Sequence, residues 1–227
     1  MIKTLILEKL LLIRSHFSKS SFILLIGSLV IMLFSMSAKE SEIQDMTATI
    51  FPILLSVFSV MICSISDMHE NRSKFGKYLL SAPAGISDLS AAKYLFTFLT
   101  QTAAAAISAA VIITASLIHG NTVNFSLFSA TFFMYGFSMT FYSIYNLISL
   151  KYSDDTANNA TGLILLGLLL LAFIYALFGD LEIIAKIYDS LVSSSEKLPI
   201  YAAVYAAVSM IFMLIGYALS KKIHYIY

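Results

Sequence analysis

The chain is 227 residues long, only 12% of them charged, and its mean hydropathy is +0.87. That charged fraction is about half the roughly 25% of a soluble domain, so composition points away from a soluble globular protein and towards a polytopic membrane protein. A formal net charge of +1 without a large basic patch argues against nucleic-acid binding, and the single cysteine, Cys63, excludes a disulfide framework or a Cys-rich metal site.

Residues 2–17 place Ile2, Ile6, Leu10, Ile13 and Phe17 on one helical face, with Lys3, Thr4, Glu8, Arg14 and Ser15 on the other and Leu7 and Leu11 intruding. This is the pattern of a basic amphipathic helix lying in the headgroup plane. The following run, Phe22–Phe34, could belong to a signal peptide, with Ser35-Met36-Ser37 as a weak cleavage site. Further apolar runs downstream favour an uncleaved first span.

Six runs are long enough to cross a hydrocarbon core, which takes roughly 20 helical residues. They cover about 20–38, 47–66, 95–118, 127–149, 161–179 and 200–220, and none contains Asp, Glu, Lys, Arg or His. The segments between them are 39–46, 67–94, 119–126, 150–160 and 180–199. Eleven of the fourteen Lys and Arg fall in the N-terminal segment, the 67–94 and 150–160 loops and the 221–227 tail. Only Lys39, Lys186 and Lys197 fall on the other side. By the positive-inside rule both termini are cytoplasmic. The expected fold is all-α, with one transmembrane domain spanning 1–227.

Two spans carry polar stripes at helical spacing. The second has Thr49, Pro52, Ser56, Ser59, Cys63 and Ser66, and the fourth has Tyr135, Ser138, Tyr142, Tyr145 and Ser149. Such faces serve close helix–helix packing through interhelical hydrogen bonds, or they line a path for cargo. Ser56, Ser59, Cys63, Tyr135, Ser138, Tyr142 and Tyr145 are the candidates for either role. In the sixth span Ala202/Ala206 and Ala203/Ala207 are small-xxx-small packing pairs. Leu181–Ser193 groups Glu182, Lys186, Asp189 and Ser193 in one sector opposite its apolar residues, which predicts a short helix on the outer leaflet ending near Pro199.

Chemistry-bearing motifs are missing. Gly76-Lys77 lacks the earlier glycine of a phosphate-binding loop (Asn71 stands there) and is followed by Tyr78, so the chain itself does not hydrolyse ATP. His69-Glu70 has Ser73 where a zinc-binding helix needs a second histidine. No serine lies in a Gly-x-Ser-x-Gly setting. The chain reads as non-catalytic, with no cofactor or metal of its own. Spans free of ionisable groups also lack the carboxylates of ion-coupled transporters, so energy for transport would come from outside the membrane region, and an uncharged lumen suits an amphipathic cargo.

The polar stretch Asp67–Lys93 reads DMHENRSKFGKYLLSAPAGISDLSAAK. Asp67 and Glu70 form a capping-box pattern for a new helix, Phe75, Tyr78 and Leu79 share one side of it, Pro83-Ala84-Gly85 ends it, and Ser87 restarts the chain towards span three. The apolar knob either docks on a cytoplasmic partner or rests against the headgroups.

With its K-F-G-K-Y-L-L-S-A-P run and the S-D-L…K-Y-L entry to span three, the chain resembles the small ABC-2-type permeases, the membrane subunits of bacterial ATP-binding-cassette exporters. It is similar in particular to the permeases of the staphylococcal phenol-soluble modulin exporter. The resemblance implies a cytoplasmic coupling helix seated on an ATPase chain, with Lys74, Phe75, Lys77, Tyr78, Leu79 and Leu80 as its contacts and Pro83 closing it. It also implies ATP and Mg on that partner, a second permease copy or paralogue, and export of an amphipathic peptide, toxin or antimicrobial. Other readings are a self-protection permease against a bacteriocin or lantibiotic, and a non-transporting membrane sensor or assembly protein.

Overall fold

The computed structural model describes residues 2–16, 41–72, 85–118, 125–152, 154–178 and 197–222. Regular structure in them is entirely helical: α1 (Ile2–His16), α2 (Ser41–Arg72), α3 (Gly85–Ile118), a 3₁₀ turn at Phe125–Phe128, α4 (Ser129–Lys151), α5 (Asp154–Phe178) and α6 (Leu198–Ser220). The expected span 20–38, the docking residues Lys74–Pro83 and the outer-leaflet segment 181–193 lie outside the described residues.

Contacts fix the helix directions. Phe51 packs with Val111, Ile112 and Ala115, while Ser59 meets Gln101, so α2 and α3 are antiparallel. Ser108 meets Thr131 and Lys93 meets Ser149, so α3 and α4 are antiparallel too. By contrast Ser56 meets Ser138 and Tyr142 reaches Val60, and Thr140 meets Ser209, so α2, α4 and α6 run parallel. This alternation is what a chain makes when each successive helix crosses the same layer.

The closest packing joins α4 to α6, through small residues. A Cβ on Gly136 would lie 2.7 Å from the Tyr205 ring and 3.1 Å from Ser209 Oγ. A Cβ on Gly216 would collide with Ser143 Oγ and lie 3.0 Å from Tyr94 Oη. Ala202 and Ala206 are buried, whereas Tyr201, Val204 and Leu214 are exposed. Without a hydrophobic drive between helices in lipid, such backbone approach supplies the packing energy.

Large apolar side chains cover the outside, among them Leu163, Leu117 and Leu214, all more than 60% exposed. An apolar exterior of this extent marks a membrane or partner surface. Among the described residues two helical stretches are long and apolar enough to span a bilayer, Ser87–Leu117 and Leu198–Ser220, with a shorter apolar stretch at Ile50–Ser64.

Three boundaries differ from expectation. The helix of α2 continues through Asp67 and Glu70 to Arg72, so these residues do not start a new helix; polar side chains do not break a helix already nucleated. The 67–94 loop is shorter at its far end, where the helix expected to restart at Ser87 begins at Gly85 and runs on without a break as α3. The 150–160 loop shrinks to the joint at Tyr152, because Asp154 and Asp155 sit in the first turn of α5, where carboxylates favour the helix dipole. Lys151 complements the other side of this joint, in the last turn of α4.

Gly136→Ala is expected to destabilise the bundle by about 1–3 kcal/mol through overpacking against Tyr205. Gly162→Ala, with open space around its α-carbon, is expected to leave stability unchanged or raise it by up to about 1 kcal/mol from helix propensity. Thermal unfolding of both variants in detergent checks the contrast.

Candidate functional site

The polar stripes of α2 and α4 face one another across the bundle. Ser56 and Ser138 are hydrogen-bonded hydroxyl to hydroxyl, and the Tyr142 hydroxyl donates to the Val60 carbonyl. Tyr142 stacks edge-on against Tyr145 with centroids 5.6 Å apart. Both pack with Cys63, Phe96 and Ala157 in one buried cluster. Tyr135 stands apart from that cluster, half-buried, with its hydroxyl 3.3 Å from Thr102 Oγ1. Of the seven stripe candidates, Ser56, Ser59, Cys63, Ser138, Tyr142 and Tyr145 are therefore packed inside the bundle, and Tyr135 lies on the edge of a groove.

A third stripe, on α3, completes the seam. Ser90, Lys93, Thr97, Gln101 and Ser108 are all buried and recur at spacings of 3, 4, 4 and 7, the same helical rule that singled out the other two. Asn146 Nδ2 donates to Thr97 Oγ1 at 3.3 Å. Ser59 Oγ lies 2.7 Å from the Ser56 carbonyl and 2.8 Å from the Gln101 amide. A hydroxyl has one proton to give; with that proton on the Ser56 carbonyl, Gln101 satisfies Ser59 by turning its NH₂ towards it. Gln101 also borders a small cavity of about 10 Å³, shared with Pro52, Ser56, Ser108, Thr131 and Tyr135 among others. That space suits one water, beside the turn where Pro52 removes a backbone hydrogen bond from α2.

At one end of the seam, two lysines are buried. Lys93, expected in the loop, is inside α3 and donates to Ser149 Oγ at 2.7 Å. Lys9 donates to Ser66 Oγ at 3.2 Å and lies 5.6 Å from the centre of the Phe96 ring. Leu5 packs on Ala92. Among the described side chains of α1, Leu5 and Lys9 are buried, and Leu7, Leu10 and Leu11 are half exposed. The reason is fit: the small side chains Ser66 and Ala92 leave room for a lysine stem that covers Phe96 while its ammonium finds a hydroxyl. Through these contacts α1 bridges the end of α2 and the start of α3, the two helices that bracket residues 73–84.

Serines also pin α6. Ser220 donates to the Tyr217 carbonyl at 2.7 Å and is bonded to Ser90. Ser209 donates to the Tyr205 carbonyl at 2.8 Å and accepts from Thr140 at 3.1 Å. Among the described residues no cluster of His, Cys, Asp and Glu could hold a metal ion.

Compared with known proteins, residues 4–224 match the family described as ABC-2 family transporter protein. No curated protein and no solved structure matches the chain. The match covers nearly the full length, and its character agrees with an all-helical chain clad in apolar side chains.

Pairing of Ser59 with Gln101 is expected to appear as coupling. In a double-mutant cycle of Ser59→Ala and Gln101→Met, unfolding in detergent should give an interaction energy of about 0.6 kcal/mol, and at most about 1.7 kcal/mol. Strict additivity would mean that the hydroxyl and amide do not hold α2 to α3.

Proposed function

This chain belongs to the ABC-2 family of transporter proteins, and we propose that it is the permease subunit of an ATP-driven exporter whose nucleotide is hydrolysed on a separate cytoplasmic ATPase chain. The family match over residues 4–224 carries this reading. The permease crosses the membrane six times, with both termini and the 73–84 segment on the cytoplasmic side. It works with a second permease, a copy of itself or a paralogue, and its cargo is an amphipathic peptide, toxin or antimicrobial.

The coupling element is the stretch Lys74, Phe75, Lys77, Tyr78, Leu79, Leu80 and Pro83. Two features support a mechanical role for it. Its flanking helices are tied together by Lys9 and Leu5 of α1, so a push on the loop moves α2 and α3 as one body. Those helices also carry two of the three faces of the polar seam. Its contacts are hydroxyl–hydroxyl and hydroxyl–amide pairs, which can exchange partners at small cost because each serine has both a proton and lone pairs. ATP-driven closure of the partner shifts α2 and α3 against α4, and the seam offers the opened path a line of neutral hydroxyl and amide groups. Ser56, Ser59, Cys63, Ser138, Tyr142 and Tyr145 then meet the cargo, whereas in the closed state they meet one another.

Tyr78→Glu combined with Leu79→Glu is expected to leave membrane insertion intact and to abolish co-purification of the ATPase, because two carboxylates cannot be buried in an apolar groove without a large desolvation cost. Unchanged co-purification of an ATPase with the doubly substituted chain would sink the docking role of this stretch.

A further inference from the structure

Beside the seam, a second feature runs the length of the bundle. Between α3 and α6 lie two open grooves, of about 590 and 570 Å³, which share Met210. On α3 the lining residues fall on one stripe from Ala91 to Ala109, and on α6 on one stripe from Ala203 to Tyr217, so the two form a continuous channel along the outside. From Ala203 to Tyr217 its length is roughly 21 Å at 1.5 Å per residue. An acyl chain occupies about 15 Å, half of the ~30 Å hydrocarbon core.

The groove walls are largely apolar, and among the described residues two lysines, Lys221 and Lys222, follow Tyr217 at one end, with Asp88 one turn before Ala91, whereas Lys197 alone precedes α6 at the other. Alanines and phenylalanines line the half near the 3₁₀ turn; Tyr94, Leu95, Met213, Leu214 and Tyr217 line the other half. At that second end Lys221 Nζ sits 4.3 Å from the centre of the Tyr217 ring, and Lys221 and Lys222 are both exposed. Ile2 closes the same end, with exposed Lys3 next to it. The cations thus stand at the mouth of the groove and leave its walls uncharged.

We propose that this groove binds an anionic phospholipid, with an acyl chain laid between α3 and α6 and the phosphate held by Lys221 and Lys222. The profile is that of an amphiphile: one charged end and an unbranched apolar body. Tyr217 places a ring where glycerol and headgroup begin, the level that amphipathic aromatic side chains favour. The buried Lys9 and Lys93 take no part, since their ammonium groups serve Ser66 and Ser149. The lysine end of the groove lies apart from the seam, while Thr131 and Tyr135 line both the far half of the groove and the small seam cavity; the proposal needs only that the protein is integral to the membrane.

The chain has no tryptophan, which gives a clean probe. Leu95→Trp puts a single indole in the groove wall, and Leu163→Trp puts one on the exposed face of α5 as a control. Each variant is reconstituted with brominated phosphatidylglycerol or brominated phosphatidylcholine of the same chain length, and quenching is followed as the brominated lipid is titrated. At position 95, phosphatidylglycerol is expected to half-quench at a concentration about tenfold lower or more, in line with two lysines near an anionic surface. At position 163 no preference is expected. In a Lys221→Ala, Lys222→Ala background the preference at position 95 should vanish while quenching by both lipids persists. Equal quenching by the two lipids at position 95, or a preference that survives loss of both lysines, would overturn the proposal. So would the absence of quenching at 95 by either lipid when 163 is quenched, which would assign the groove to a second protein chain.

Discussion

In an apolar medium every hydroxyl and amide must find its partner inside the protein, and this constraint organises the bundle. The faces of α2, α3 and α4 that carry Ser, Thr, Gln, Asn and Tyr are turned towards one another because lipid offers them nothing. The pairs Ser56–Ser138, Ser59–Gln101 and Thr97–Asn146 are the outcome. Many large apolar residues face outwards, Leu163, Leu117 and Leu214 among them, while Ser66, Ser90 and Ser138 are fully buried alongside apolar clusters such as Phe51 with Val111, Ile112 and Ala115. Interhelical hydrogen bonds of this kind are individually weak. A seam built from them is strong enough to fix which helices touch and loose enough to be rearranged.

The ends of the bundle are unlike. α1, the last turns of α2, the first turns of α3, the joint after α4 and the end of α6 gather at one end, and Lys9, Lys93, Lys151, Lys221 and Lys222 come with them. Two of these lysines are buried against serine hydroxyls and three stand towards solvent or headgroups. This division matters for function. The buried pair ties α1 and α4 to α2 and α3, whose continuation is the segment between residues 72 and 85. The outer lysines are free to meet anions.

Much of this was legible in the sequence where periodicity was strong. The stripes of α2 and α4 were visible because Ser, Cys and Tyr recur at 3 and 4 among large apolar residues, and the structure turns them towards each other. The α3 stripe is faint in the sequence because Thr97, Gln101 and Ser108 are diluted by alanines and Ser90 and Lys93 precede the apolar run 95–118. Lys93 lies on the helical restart that Ser87 opens ahead of the apolar run 95–118, and a long stem and a nearby serine let it be buried inside α3. On α1 the amphipathic pattern says nothing of Lys9, and only the contacts with Ser66 and Phe96 reveal that it is covered. The loops are shorter than expected because α2 runs on through Asp67 and Glu70, whose capping-box pattern predicts a new helix, and α5 begins already at Asp154; near helix ends carboxylates are compatible with, and at an N-terminus favourable to, the helix. No local pattern announces the groove between α3 and α6, since it depends on two stripes far apart in the chain.

The central claim is that this chain is the membrane half of an ATP-driven machine. The most direct measurement is hydrolysis of Mg-ATP by the tagged full-length protein purified from its native host in mild detergent, with the polypeptides present identified. The account predicts ATP hydrolysis together with a second, soluble chain of the cassette ATPase type. A single polypeptide without hydrolysis, under conditions in which another exporter from the same membranes stays assembled and active, would contradict it.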